Sequence, residues 1–159
     1  MLGTLLTILF VGVGLLLPWA LALTWRLRVR GDGAMPGRIG RRPFLHSLLA
    51  YVLAFNLTFF IQELFLVLPK ALVPGITPTL FHNNHRWAGE APIADLFQGT
   101  GALAILVSGA VFAAIAARQA RPSFFVLWMA FNGLFQSLPQ FVVAAIHDGQ
   151  DVGQAYDYL

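Results

Sequence analysis

The chain alternates between long apolar runs and short polar connectors. Four runs, at about residues 5–25, 44–68, 92–117 and 124–146, are long enough for membrane helices, since about 20 apolar residues span the hydrocarbon of a bilayer. Between and after them lie a basic loop at 26–43, a second loop at 69–91, a short turn, and a tail at 147–159. The pattern predicts an all-α integral membrane protein. Its four transmembrane helices form a bundle, a short amphipathic C-terminal segment follows, and residues 1–159 make a single membrane domain.

The connectors predict which way each run is threaded. Arg26, Arg28, Arg30, Arg38, Arg41 and Arg42 face the single Asp32 in the first loop. Arginine-rich short loops stay in the cytoplasm. No Lys or Arg precedes the first run, which argues for a retained helix over a cleaved signal peptide. Arg118 and Arg121 mark a second cytoplasmic turn, whereas Lys70, Arg86, Glu90 and Asp95 balance in the loop between. Both termini then fall outside, on the periplasmic face if the chain sits in a cell inner membrane. The tail, with Asp148, Asp151 and Asp157 and no cation, agrees. Val152, Ala155, Tyr156 and Leu159 give it an apolar stripe suited to the membrane interface.

Polar residues inside the apolar runs are the candidates for chemistry. Glu63 stands in the second run, where a carboxylate near mid-membrane costs about 2.5 kcal/mol or more unless it has a partner. Asn56, Glu63 and Lys70 recur every seven residues, so they share one helical stripe that must face protein or a watery cavity. The third run carries Gly109, Ala113 and Ala117 at four-residue intervals, a spacing that lets helix backbones approach closely. In the fourth, Asn132, Gln136 and Gln140 place three amides on one face, beside Gly133 and Pro139. The loop segment from Thr79 to Trp87 holds His82 and His85. If Pro78 or Thr79 opens a short helix there, both imidazoles project from one side.

Composition narrows the classes of function. The chain is 58% hydrophobic and 11% charged, well below the roughly 25% charge of a soluble domain. It has no cysteine, which removes disulfides, thiolate metal sites and thiol catalysis. The net charge of +3 sits largely in one loop, without interleaved aromatic residues, so nucleic acid is not an expected partner. No GxSxG, GxGxxG or P-loop is present. Haem ligation is disfavoured because His46 and His147 lie at opposite helix ends.

Three readings stay open. The first is a subunit or scaffold of a larger membrane complex, its polar groups hydrogen-bonding across helices, with lipid and other membrane subunits or its own copies as partners. The second is a membrane-embedded metalloenzyme holding a divalent transition metal on His82, His85, His147 and Glu63. The third is a small proton-coupled carrier, with Glu63 as the proton-carrying group and Asn132, Gln136 and Gln140 lining a polar pocket.

Overall fold

The computed structural model describes residues 40–81, 84–144 and 151–159. The chain divides into two compact units, Met1–Phe44 and Leu45–Leu159, and nearly all the described residues belong to the second. The helix expected at 5–25 and most of the basic loop lie outside the described residues.

Among the described residues, three stretches are helical, long and apolar enough to cross a membrane: Arg41–Leu72, Ile93–Arg118 and Phe124–Ala144. Helix α1, Arg41–Val67, takes in Arg41 and Arg42, which the sequence pattern assigned to the loop. Pro43 falls in its first turn, where a missing N–H removes no helical bond. Pro69 stops it, and a single 3-10 turn, Lys70–Leu72, follows. The buried residues of α1 are few: Ala54, Thr58, Gln62, Glu63 and Leu66. The expected stripe through Asn56 is corrected here. Asn56 is exposed, and its amide donates to the Val52 carbonyl of its own helix at 2.8 Å.

The loop expected at 69–91 is not wholly irregular. Strands β1, Thr77–Leu80, and β2, His85–Ala88, form an antiparallel hairpin with Thr77 opposite Ala88 and Leu80 opposite His85. This replaces the short helix expected to carry His82 and His85, because Thr-Pro-Thr-Leu and His-Arg-Trp-Ala alternate with the period of a strand. Gly75 and Gly89 close its base, both at positive φ. A Cβ on Gly89 would stand 2.0 Å from the Gly75 carbonyl oxygen, so only glycine fits.

The helix expected at 92–117 is interrupted near its start. Helix α2, Ile93–Leu96, ends at Phe97, whose ψ of −8° tightens the chain. Gln98 N then bonds Asp95 O and Thr100 N bonds Phe97 O in 3-10 fashion. Helix α3 runs on from Gly99 to Arg118. After Ser123, whose hydroxyl accepts the Val126 N–H at 3.3 Å, helix α4 runs Phe124–Ala144 with Pro139 inside it.

Helices α3 and α4 meet at Gly109 and Gly133. A Cβ on Gly133 would lie 2.6 Å from the Gly109 Cα, so the backbones touch. The expected close-packing run of Gly109, Ala113 and Ala117 is shifted by two turns: Gly101, Ile105 and Gly109 are buried, while Ala117 is exposed. The tail also departs from expectation. Helix α5, Asp151–Tyr158, rests on α2, α3 and α4 rather than lying free. Val152 packs with Ala102 and Ala144, whereas Tyr156 and Leu159 are exposed.

Two long-range hydrogen-bonded pairs set the directions of α1 and α4. Trp128 Nε1 donates to Ser47 Oγ at 3.1 Å, and the Gln62 and Gln140 amides pair at 3.4 and 3.5 Å. Both partners advance together along the chain, so α1 and α4 run parallel. Thr100 Oγ1 donates to Phe65 O at 2.6 Å, which sets the start of α3 beside the C-terminal end of α1. The C-terminal ends of α1 and α4, the start of α3, the hairpin and α5 therefore gather at one end.

Candidate functional site

Local structure explains how a polar cluster forms at that end. Strand alternation puts His85 and Trp87 on the sheltered face of β2 and Arg86 and Ala88 on the open one. The turn after Pro69 swings Lys70 back under the hairpin. The tightened turn at Phe97 delivers Gln98, and α5 brings Gln154.

The contacts are short. His85 Nδ1–H donates to Glu63 Oε2 at 2.8 Å, with the two side chains 6% and 9% exposed. Lys70 Nζ, on a residue with no solvent exposure, donates to Gln98 Oε1 at 2.8 Å and lies 3.3 Å from His85 Nε2. Gln98 Oε1 is also 3.0 Å from His85 Nε2, and Gln98 Nε2 donates to Gln154 Oε1 at 3.3 Å. The Trp87 ring stacks on His85 and takes the Lys70 ammonium over its face, 4.2 Å from the centroid.

The hydrogen-bond directions are constrained. A carboxylate only accepts, so Nδ1 carries the proton. An ammonium only donates, so Gln98 turns its oxygen to Lys70. His85 Nε2 meets both the Lys70 ammonium and the Gln98 oxygen, so carboxylate and ammonium bracket the imidazole. Burial of opposite charges is tolerable when they are joined this way.

Of the residues singled out from sequence, Glu63 and His85 come together, and Gln140 reaches this end through Gln62, the neighbour of Glu63. His82 and His147 lie outside the described residues. Asn132 and Gln136 sit deeper in α4 and touch no member of the cluster by hydrogen bond. The Asn132 Nδ2 and both polar atoms of Gln136 are buried and meet no hydrogen-bonding group among the described residues. Among the described residues, no group of three or more His, Cys, Asp or Glu is placed to hold a metal ion. His85 Nε2 faces the Lys70 ammonium at 3.3 Å, a poor setting for a metal cation.

Lys70, Trp87, Gln98 and Gln154 were missed as site residues. The alternation of His85 and Trp87 was a usable signal for two of the cluster's contacts. Nothing in the sequence pairs Gln98 with Gln154. No protein-family model, curated protein or solved structure matches the chain.

Proposed function

We propose that this is a multi-pass membrane protein of a cell inner membrane, acting as a subunit or scaffold of a larger membrane assembly. One observation carries the reading. The polar cluster at the helix ends closes on itself, so that Glu63, His85, Lys70, Gln98 and Gln154 bind one another instead of presenting a reactive group. Such a cluster fastens the hairpin and α5 over the helix ends and fixes the shape of that end. The exposed apolar side chains of α1, among them Leu48, Leu49, Val52 and Leu53, suit lipid or neighbouring membrane helices. Extraction from its native membrane in a mild detergent tests the proposal. Recovery in a complex with other chains or its own copies is expected, and a stable lone monomer refutes it.

In this reading the Arg-rich loop 26–43 faces the cytoplasm and both termini face the periplasm. The absence of cysteine makes single-cysteine labelling direct. An impermeant maleimide is expected to label Glu90→Cys from outside intact cells and to reach Arg38→Cys only after permeabilisation. Equal labelling of both removes the assignment of sides.

A second reading, the proton-coupled carrier, is favoured by the Gln62–Gln140 pair, which joins the amide face of α4 to the residue beside Glu63. Vesicles holding the protein would then dissipate an imposed pH gradient, and Glu63→Gln would stop them without changing the assembly. The metalloenzyme, with a divalent metal on His82, His85, His147 and Glu63, gains no support among the described residues.

A further inference from the structure

The hairpin and α5 cap one end of the helices, and the opposite end has a different charge. Within Leu45–Leu159 the described acids are Glu63, Glu90, Asp95, Asp151 and Asp157, each on an element of the capped end or on the chain joining two of them. At the other end α3 stops at Arg118, and a short turn holding Arg121 leads into α4 at Phe124. Both arginines are exposed, and neither has an ion-pair partner among the described residues. Arg118 closes one membrane-length stretch and Phe124 opens the next, so the two guanidinium groups stand where lipid headgroups begin.

Beside these arginines lies an apolar groove. It encloses about 310 Å³ between the start of α4 and α1, walled by Ser47, Phe124, Leu127, Trp128 and Phe131. The polar groups on its wall bond each other, since Trp128 Nε1 donates to Ser47 Oγ at 3.1 Å. What is left is exposed aromatic and aliphatic surface, which suits hydrocarbon. A second apolar groove, of about 340 Å³, begins at the same Phe131 and ends at Pro139. From Phe124 to Pro139 the two follow α4 for about 22 Å, at a rise of ~1.5 Å per residue. That exceeds half of the roughly 30 Å hydrocarbon of a bilayer, room for one chain hanging from the surface. Arg121 precedes Phe124 by at most about 11 Å of backbone, so its side chain reaches the mouth of the groove.

We propose that this groove seats an anionic phospholipid, with one acyl chain along α4 from Phe124 towards Pro139 and the phosphate held by Arg121 and Arg118. Charge complementarity selects this occupant. A zwitterionic lipid brings its own cation to the arginines, whereas a net negative headgroup is favoured about five-fold by each cation near the surface. An apolar helix would fill the same space and offer nothing to the guanidinium groups. The site rests on the membrane reading and holds whether the chain is a subunit or a carrier.

The test places the full chain in phosphatidylcholine bilayers with a minor fraction of phosphatidylglycerol carrying a diazirine in one acyl chain. Retention of the chain in the bilayer after alkaline washing checks the membrane reading by itself. After irradiation, label on Phe124, Leu127 and Phe131 is expected to exceed that on the exposed α1 residues Leu48, Leu49 and Val52 several-fold. Excess unlabelled phosphatidylglycerol should displace it and phosphatidylcholine should not. Arg118→Gln with Arg121→Gln should cut it about five-fold or more. Leu127→Trp, which fills the groove and keeps both arginines, should lose it as well. An inserted chain labelled evenly on α1 and α4 overturns the proposal. So does equal competition by the two lipids, or labelling that survives either variant.

Discussion

Two regions of this protein bury polar side chains, and they do so in opposite ways. At the capped end, an acid, an imidazole, an ammonium and two amides come from five separate segments and satisfy one another within 2.8–3.3 Å. On α4, Asn132 and Gln136 share one helix face, and the Asn132 Nδ2 and both polar atoms of Gln136 are buried with no hydrogen-bonding partner among the described residues. The difference lies in what covers each region. A hairpin and a terminal helix can supply side chains of any type from any direction. A neighbouring membrane-length helix supplies only what its own facing stripe carries. Charge is therefore concentrated where non-helical chain folds over the helix ends, and α4 is left with neutral amides.

The largest expected effect comes from cutting the cap. Lys70→Ala removes the ammonium that contacts His85 and Gln98 and takes a counter-charge from the buried Glu63 carboxylate. Breaking one partner of a buried charged set costs about 3–5 kcal/mol, to be read as a lowered unfolding midpoint in detergent. Glu63→Gln combined with Lys70→Met should recover much of that loss, because both charges leave together. A loss below about 1 kcal/mol for Lys70→Ala would mean that the ammonium is solvated, and the contrast between the two regions would collapse.

The sequence made one side of this contrast readable. A carboxylate inside an apolar run demands a partner, and that demand pointed to Glu63 before any fold was known. Hydrophobic run length placed the three described long helices to within a few residues, since membrane length is a physical constraint. The partner itself was hidden. His85 reaches Glu63 only because β2 pairs with β1 in a particular register, and register depends on the hairpin as a whole. Gln98 reaches Lys70 because the chain tightens at Phe97, a change of one backbone angle that no residue type announces. The tail looked suited to the membrane surface because its stripe is apolar; the same stripe fits equally well against Ala102 and Ala144.

An intermediate effect sharpens the comparison from the far end of the contact between α1 and α4. Trp128 Nε1 donates to Ser47 Oγ, and its ring meets Tyr51 edge-on at 4.9 Å. Trp128→Phe keeps an aromatic ring and removes the donor. Hydrogen bonds between membrane helices are worth about 0.6 kcal/mol on average, so a small drop in unfolding midpoint is expected. Ser47→Ala in the same background should add almost nothing, as the serine has already lost its partner. Additive losses would show that the two side chains act separately, and that contact would then be fastened only at Gln62 and Gln140.

The smallest effect belongs to Asn56, which distinguishes burial by helix neighbours from burial by the cap. It shares the flank of α1 that carries Glu63, seven residues on. Glu63 is covered because His85 descends on it from the hairpin, and the hairpin reaches only the end of the helix. Two turns away Asn56 is exposed, and its amide turns back to Val52 O. Asn56→Leu gives up that local bond and replaces an exposed amide with a side chain that lipid accommodates readily. Stability should be unchanged or slightly raised. A clear loss would mean that the Asn56 amide bonds a partner other than its own helix, and the covered flank of α1 would then extend well beyond the reach of the hairpin.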